Sequence, residues 1–421
     1  MSIQSFTLKN YRSFVDRTTI ELRPLTLLFG YNNSGKSALL RALPLIADSL
    51  NGQSSTPLAL DSSPAARGSL FSDLLSNISG RQEFDLELSL TDSEIRHLKW
   101  TFRGVRKRKA HIISNFGLFA LNENLISGEI ASSTEKLLSN EYNLQLANEA
   151  SEKKTLKFEG LLLSTLSEVL PPKLMSVIEP YQRLKTINSQ IQWLSSVRQL
   201  PLRNNLFQGT KFKRLSSDGG GAADVLAMDS IFEELLILPK VSSWYEKHLQ
   251  QKLIVEEMAD HFQIKLQHLT NLSCKVNIVD TGEGVIQVLP VLVACAMASE
   301  GDTDILAIEE PESHLHPRHH AALAAHFCEL VSQKHSPKCL LETHSENFLL
   351  RVQLEIAQGK LDPELVRVYW VRQLDDGRSI AEPITFNQLG QPNDNNWPRG
   401  VFSEDVEQKR EIIEAQRAYS E

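Results

Sequence analysis

Two spacings of apolar side chains occur near the start of the chain, and each predicts a different kind of element. Residues 2–8 and 17–22 alternate apolar and polar side chains, which is typical of half-buried strands. Residues 25–29 form an uninterrupted apolar run that ends at a glycine, as a buried strand does. Residues 38–43 place apolar side chains at helical spacing. The pattern therefore predicts two strands, a buried third strand, a glycine loop and a helix.

The middle of the chain has a different pattern, which we interpret as helical. Residues 130–195 are interpreted mainly as helices that break at Pro171 and Pro172. Sustained heptads are absent, so a long coiled coil is not expected. We therefore predict a compact, mainly helical insertion over residues 96–195.

Strands are predicted again further along. Residues 305–309, 338–343 and 364–373 are apolar runs, and Gly377 marks a hairpin into residues 380–384.

The composition is that of an ordinary soluble protein. The chain has 421 residues, of which 41% are hydrophobic and 23% charged. It shows no signal peptide, no apolar run of membrane-spanning length and no C-x-x-C pair among its four cysteines, so we expect a cytoplasmic protein with reduced thiols. The net charge of −8 argues against a chain coated for nucleic acid. A local basic run at residues 103–109 leaves DNA or RNA contact open, beside the simpler interpretation of a solvated charge run.

The glycine loop carries a chemical motif. Residues 30–37 fit G-x-x-x-x-G-K-[ST], the phosphate-binding P-loop, and they stand between a predicted strand and a predicted helix. That arrangement lets backbone N–H groups and a helix N-terminus point at a phosphate. Lys36 is then expected to reach the β- and γ-phosphates, and Ser37 to bind Mg²⁺.

A second nucleotide motif ends the apolar run at residues 305–308. Glu309 and Glu310 follow it, as in a Walker B strand. We predict that Glu309 holds Mg²⁺ and that Glu310 orients the attacking water as general base. The alternative is a pair of acids that caps the turn at Pro311.

Three phrases of this sequence resemble one family. They are similar to phrases of the SMC/RecF/OLD group of ABC-type ATPases. The first is "FTLKNYRSF" ahead of "GYNNSGKS", the second is "EEPESHLHP" and the third is "ETHS". The resemblance implies an α/β P-loop NTPase of the ABC-ATPase head type, with a mixed central sheet and an antiparallel β lobe. It also implies ATP and Mg²⁺ as cofactors.

The resemblance assigns roles to further residues. His344 is expected to hydrogen-bond the γ-phosphate region, which makes it a catalytic residue with Glu310 and Lys36. Arg12 is expected to approach the phosphates, unless it is a solvated turn arginine. Gln82 and Asp73 are both candidates for the Q-loop residue near Mg²⁺. The nucleotide contacts expected from the P-loop are Asn32, Asn33, Ser34, Gly35, Lys36, Ser37 and Ala38.

The signature segment of such ATPases is assigned to residues 281–290. In an ABC dimer this segment closes on the nucleotide bound by the other subunit, and Gly282, Gly284 and Gln287 are the expected contacts. The chain departs from the family pattern at Ile286, where many relatives carry serine, and at Glu283, whose negative charge lies near the expected phosphate.

These assignments divide the chain into four predicted parts. Residues 1–95 form the first half of the ATPase head, 96–195 the insertion, 196–350 the second half of the head, and 351–421 a C-terminal extension of strands and a charged helix. About 75 residues follow the "ETHS" phrase, and they show no TOPRIM pattern.

The predicted function is ATP binding and slow hydrolysis by a homodimer or higher oligomer. Resemblance to PtuA-like and AriA-like ATPases implies the sensor subunit of a bacterial anti-phage system that controls a separate nuclease or toxin. The alternative is a RecF/SMC-like ATPase of DNA repair or maintenance that binds DNA through residues 106–109. A transporter's nucleotide-binding subunit is disfavoured by the "EEPESHLHP" and "ETHS" phrases.

Overall fold

The structure, a computed structural model, describes most of the chain. It covers residues 2–393 except 55, 92, 106–109, 121–122, 132–139, 147–149, 208, 210–211, 233, 302 and 335, together with 397, 410–413 and 416. The predicted DNA contact at residues 106–109 therefore lies outside the described residues, as does most of the predicted helix at 403–421.

The strands of the described chain are short to medium in length. They are β1 (Ser2–Lys9), β2 (Thr18–Glu21), β3 (Leu25–Phe29), β4 (Glu83–Thr91), β5 (His97–Val105), β6 (Ala110–Phe119), β7 (Asn124–Ile130), β8 (Glu141–Leu146), β9 (Glu152–Thr155), β10 (Phe158–Glu159), β11 (Leu162–Leu163), β12 (Ile191–Leu194), β13 (Asn205–Leu206), β14 (Gln251–Met258), β15 (His261–His268), β16 (Lys275–Asn277), β17 (Ile305–Glu309), β18 (Lys338–Thr343), β19 (Val366–Gln373) and β20 (Ser379–Ile384).

The α-helices are α1 (Lys36–Leu50), α2 (Phe71–Leu74), α3 (Leu166–Val169), α4 (Ile178–Arg183), α5 (Ala222–Ile231), α6 (Leu238–Leu249), α7 (Glu283–Gln287), α8 (Leu289–Ser299), α9 (Pro317–Val331) and α10 (Glu346–Ala357). Short 3-10 turns lie at Pro64–Ala66, Pro172–Val177, Leu184–Gln190, Ile278–Asp280 and Pro363–Leu365.

A six-stranded sheet in the order β12-β17-β18-β3-β19-β20 forms the centre of the protein. Its first five strands are parallel, and β20 runs antiparallel at the edge. All five residues of β3 are buried, as expected of a strand covered on both faces. Because the strands are parallel, the ends of β3, β17 and β18 meet at one edge of the sheet. The three nucleotide motifs of the sequence follow these three strands.

The antiparallel lobe is an eight-stranded sheet in the order β2-β1-β4-β5-β6-β7-β8-β9. One face of it packs on the P-loop helix α1, and together they form one hydrophobic core. The other core lies across the central sheet, where α8, α9 and α10 pack. Strands β13 to β16 form a separate antiparallel sheet beside α6, and β10 pairs with β11 in a two-stranded sheet.

The predicted helical insertion at 96–195 is wrong for the described residues between 97 and 163. The described part of this segment forms strands β5 to β11, and β5 to β9 extend the antiparallel lobe past residue 95. In β5 the buried side chains are Leu98, Trp100 and Phe102, a spacing of two that places them on one face. Among the described residues of this segment, helical structure occurs at residues 166–190, in α3, α4 and two 3-10 turns.

Candidate functional site

The P-loop fits between two neighbouring segments that leave no room for side chains at its glycines. A Cβ on Gly30 would lie 2.1 Å from the Val371 carbonyl oxygen of β19. Gly35 has a φ of 104°, and a Cβ there would lie 2.9 Å from the Phe14 ring. The two glycines are therefore needed to hold the loop against the sheet and against the turn at residues 11–14.

Lys36 lies inside the loop rather than extending from it. Its Nζ donates to the carbonyl oxygens of Gly30 at 2.9 Å and Tyr31 at 2.7 Å. Burial lowers the pKa of this ammonium to about 8, against the raising effect of Glu342, Glu310 and Glu312. The Lys36 side chain therefore folds back onto its own loop and holds the loop in its phosphate-binding shape.

The rest of the predicted P-loop contacts lie in or next to the same loop. Asn33 has a left-handed φ of 63°, and the buried Ser34 hydroxyl has no hydrogen-bond partner among the described residues. Ala38 N–H begins the helix by donating to the Gly35 carbonyl at 3.0 Å. Asn32 lines a cavity of about 440 Å³ at the end of β3. The other lining residues are Phe29, Gly30, Tyr31, Glu310, His344, Glu346 and Trp370.

Glu310 and His344 come together at this cavity. His344 Nε2 lies 3.9 Å from Glu310 Oε1, and burial lowers the pKa of His344 to about 4, so the imidazole is neutral at pH 7. Glu310 has a φ of 41°, a conformation that costs a non-glycine residue energy and that must be held by neighbours. Its N–H donates to the Glu342 carbonyl at 2.9 Å. The three predicted catalytic residues therefore share one site.

Glu309 does not join that site. Its carboxylate is 1% exposed and accepts both Nε and Nη2 of Arg41, at 2.6 and 2.5 Å. Trp193 Nε1 donates to it at 3.3 Å. Ser37 Oγ instead donates to Glu342 Oε1 at 2.7 Å. The structure therefore does not bring the predicted metal pair, Ser37 and Glu309, together.

The three predicted signature residues have different surroundings. Gly282 is exposed, and a Cβ there would meet nothing within 4 Å. A Cβ on Gly284 would lie 2.3 Å from the His314 carbonyl oxygen, so this glycine is needed inside the chain. Gln287 is buried, and its Nε2 donates to the Arg198 carbonyl at 3.4 Å. Among the three, only Gly282 is a free surface position.

Arg12 lies in the turn that packs on Gly35. Its φ is 52°, and its Nη2 donates to Ser69 Oγ at 3.0 Å. The two Q-loop candidates are both exposed. Asp73 accepts the N–H of Leu70 at 2.8 Å at the start of its own helix. The structure thus places Arg12 beside the P-loop and does not choose between Asp73 and Gln82.

Sequence reasoning missed Arg198, a residue in direct contact with the Walker B backbone. This buried guanidinium donates through Nη2 to the carbonyl oxygens of Glu309 at 2.5 Å and Glu310 at 3.0 Å. Burial lowers its pKa to about 10, against three nearby carboxylates. Its side chain thereby fixes the strained backbone of Glu310. Its place in residues 193–203, a stretch that resembles a short segment of the SMC/RecF/OLD group, is the sequence signal that could have indicated it.

Glu312 and Glu342 were also missed. Glu312 Oε1 accepts Thr343 Oγ1 at 2.5 Å and the His344 N–H at 3.1 Å, so it fixes the loop that carries His344. Glu342 is 2% exposed and bonds Ser37. Neither carboxylate has a local sequence signal beyond its place in the "EEPE" and "ETHS" phrases.

A larger cavity, of about 840 Å³, lies away from the P-loop. It is bordered by Pro44 and Asp48 of α1 and by the glycine cluster at residues 219–221. Its lining among the described residues contains none of the P-loop, Walker B or "ETHS" residues, so the smaller cavity is the nucleotide candidate although it has less volume.

These features define a nucleotide-binding P-loop protein. The predicted fold class, an α/β P-loop NTPase of the ABC-ATPase head type with a mixed central sheet and an antiparallel β lobe, is confirmed. Residues 1–349 match the family described as AAA ATPase domain, and the chain belongs to that family.

Solved structures with a similar shape are heads of SMC proteins. The SMC head domain from Thermotoga maritima is 9% identical, with 92% of this chain and 100% of that chain covered and a TM-score of 0.45. An Smc head bound to the C-winged helix domain of ScpA is 14% identical, with coverage of 92% and 99% and a TM-score of 0.49. A head with an extended coiled coil, bound to the C-terminal domain of ScpA derived from Pyrococcus furiosus, is 11% identical, with 99% of each chain covered and a TM-score of 0.43.

Two further comparisons are brief. No curated protein matches the chain significantly. In the part of the chain that the structure describes, no helix combines the length and apolar character needed to cross a bilayer.

Proposed function

We propose that the chain binds ATP with Mg²⁺ and hydrolyses it. The observation that carries this proposal is that Glu310 and His344 line one cavity of about 440 Å³ together with Gly30 and Tyr31, the two P-loop residues whose carbonyls hold Lys36. Lys36 and the loop N–H groups bind the phosphates, where an ammonium and backbone donors stabilise negative charge. The rings of Tyr31 and Trp370, whose centroids lie 5.6 Å apart, provide an aromatic surface beside the loop for the nucleobase of ATP.

The residues present fit a divalent cation. The Ser37 hydroxyl lies against a buried carboxylate whose second oxygen, Glu342 Oε2, has no hydrogen-bond partner among the described residues. Oxygen ligands of this kind are what Mg²⁺ prefers. When bound, the cation neutralises charge on the β- and γ-phosphates.

Glu310 orients the attacking water. Its side chain is partly exposed at the cavity, and its backbone is held by Arg198 and by the Glu342 carbonyl. A carboxylate held in place can accept a hydrogen bond from water and direct its oxygen at the γ-phosphate. His344, neutral at pH 7, can donate or accept a hydrogen bond at the same phosphate without adding charge.

Gly282 supports the proposal that a second copy completes the site. Its φ of −65° and ψ of 144° suit any residue, and the space around it is open, so the folded chain alone gives no reason for glycine there. Close approach by another molecule does give a reason. We expect ATP to bring Gly282 of one copy to the nucleotide of another.

Solution mass tests both parts of this proposal. Glu310→Gln removes the base and should retain ATP, so its mass should rise with ATP·Mg²⁺ and not without nucleotide. Adding Gly282→Gln should leave ATP binding intact and prevent the rise. A mass that stays monomeric with ATP bound would contradict the trans assignment. Failure of the wild type to bind or hydrolyse ATP would contradict the function itself.

The finer role that we propose is control of a separate effector protein in an anti-phage system. It is supported by the resemblance to PtuA-like and AriA-like ATPases. Purification from the native host should yield a second protein encoded beside this chain, and deletion of the operon should increase phage sensitivity. Isolation of the chain alone, with unchanged phage sensitivity, would count against the role.

A further inference from the structure

Two carboxylates end neighbouring strands of the central sheet. Glu309 of β17 and Glu342 of β18 are partners in the parallel register, so their side chains project from the same face. The helix α1 packs against both strands. β18 lies next to the P-loop strand β3, whereas β17 lies one strand further away, about 4.8 Å. Glu342 is therefore the acid on the strand that adjoins the P-loop strand.

The helix α1 gives each carboxylate a different partner. Ser37 and Arg41 are four residues apart, so they lie one above the other on a single face of the helix. The Ser37 hydroxyl donates to Glu342, and the Arg41 guanidinium donates to Glu309. One helical turn of about 5.4 Å nearly equals one strand spacing, so the two pairs form side by side.

The two carboxylates differ in how many of their oxygens accept a hydrogen bond. Both oxygens of Glu309 accept a charged hydrogen bond from Arg41, and its negative charge is thereby balanced. Glu342 receives one neutral hydroxyl, and its Oε2 has no partner in the part of the chain that the structure describes, although the residue is 2% exposed. The nearby ammonium of Lys36 is already donating to two loop carbonyls.

The Lys36 ammonium is a nearby positive charge, but among the described residues it forms no ion pair with Glu342. Buried charges in proteins are usually paired or coordinate a metal. One carboxylate oxygen of Glu342 lies within 4.8 Å of ligand atoms of Glu310 and His344, so Glu342 belongs to the same cluster as the proposed base.

We propose that Glu342, and not Glu309, is the carboxylate that holds the Mg²⁺ of the nucleotide together with Ser37. Glu309 is then a structural acid that anchors α1 to the sheet through Arg41. The inference rests on the proposed function, since it concerns the cation that accompanies ATP. It changes the ligand set expected from the Walker B motif.

A matched pair of isosteric variants tests the assignment. Glu342→Gln and Glu309→Gln each remove one negative charge at register-paired positions. Binding of the fluorescent nucleotide MANT-ATP is titrated over a range of Mg²⁺ concentrations and in EDTA, and Mn²⁺ binding is measured by electron paramagnetic resonance. We expect Glu342→Gln to raise the Mg²⁺ and Mn²⁺ concentrations for half-saturation by about 10–100-fold. Affinity for MANT-ATP in EDTA should not fall.

Glu309→Gln should leave the cation half-saturation close to that of the wild type and should lower thermal stability instead. The reverse pattern, or an equal loss of cation affinity in both variants, would overturn the inference. If wild type binds no MANT-ATP, the proposed function fails and the inference falls with it. If wild type binds MANT-ATP with Mg²⁺ dependence and Glu342→Gln behaves like it, the inference alone fails.

Folding of the variants is checked by circular dichroism. Should Glu342→Gln not fold, Glu342→Asp keeps the charge on a shorter side chain and decides the question. A rise in its cation half-saturation supports the assignment, and wild-type cation binding overturns it. Ser37→Ala is also combined with Glu342→Gln or Glu342→Asp, whichever folds. The double variant should lose less cation affinity than the sum of the losses in the two single variants, because both residues bind one ion.

Discussion

Removing the arginine that faces Glu309 should destabilise the fold strongly. In Arg41→Met, the Glu309 carboxylate would remain buried at 1% exposure, and its one remaining donor among the described residues would be the Trp193 N–H, 3.3 Å away. Breaking a buried ion pair from one side costs about 3–5 kcal/mol. The Arg41 side chain is 20% exposed, so water can partly reach the vacated position. We therefore expect a cost of about 3 kcal/mol, at the lower end of that range.

The assay is urea unfolding followed by tryptophan fluorescence and far-ultraviolet circular dichroism. Arg183→Met is the matched control, because it breaks an ion pair with Glu179 whose side chains are 67% and 74% exposed. The control should change the unfolding free energy by less than about 0.5 kcal/mol. The double variant Arg41→Met/Glu309→Leu should regain most of the lost stability, because no buried charge is left unpaired.

A small effect would refute the reasoning. If Arg41→Met costs no more than Arg183→Met, then Arg41 does not hold Glu309, and the Glu309 carboxylate is free to turn toward a cation. The division of roles between Glu309 and Glu342 would then lose its basis. A large loss in Arg41→Met that the double variant does not restore would show that Arg41 acts through packing rather than charge.

Three other predictions follow from the described contacts. Gly284→Ala should lower the thermal midpoint because its Cβ would lie 2.3 Å from the His314 carbonyl oxygen, whereas Gly282→Ala should not; equal midpoints would contradict this. Arg198→Met should lower the ATPase kcat by about tenfold or more while the Kd for ATP stays similar, because the backbone of Glu309 and Glu310 loses its support and the P-loop does not. A parallel rise in Kd would contradict this. His111 is buried, and burial lowers its pKa from 6.5 to about 4. Between these pH values the unfolded chain binds a proton at His111 and the folded chain does not. Unfolding free energy should therefore fall between pH 6.5 and 4 by up to about 3 kcal/mol, and His111→Gln should flatten that slope in urea titrations at several pH values.

The sequence predicted the elements that carry local signals. The apolar run at 25–29, the P-loop and the helix after it are all present, as are the strands that end at Glu309 and at Thr343. In each, a short apolar run ends at polar residues whose chemistry is recognisable, so pattern and motif agree.

The insertion was wrongly predicted because its period was misjudged. In β5, Leu98, Trp100 and Phe102 alternate with polar side chains, a pattern that indicates a strand. The prediction relied instead on residues 130–195, where helical structure among the described residues occupies only the later part. Strand pairing between β4, β5 and β6 is a tertiary effect, which local helix propensity does not report.

The cation ligand could not be derived from spacing alone. Glu309 and Glu342 are 33 residues apart in the sequence, and only the order β17-β18-β3 shows which of them adjoins the P-loop strand. The partner of Glu309 is equally non-local, because Arg41 comes from a helix 268 residues earlier. Arg198 likewise reaches Glu310 across 112 residues.

The position of β3 has a consequence for synthesis on the ribosome. Its hydrogen-bonding neighbours are β18, which begins at Lys338, and β19, which begins at Val366. Ribosomes add about 5–20 residues per second, so a fully apolar strand made early must wait roughly 15–60 seconds for its first neighbour. The nascent P-loop strand is therefore a natural binding segment for co-translational chaperones, and the nucleotide site is among the last parts of the head to form.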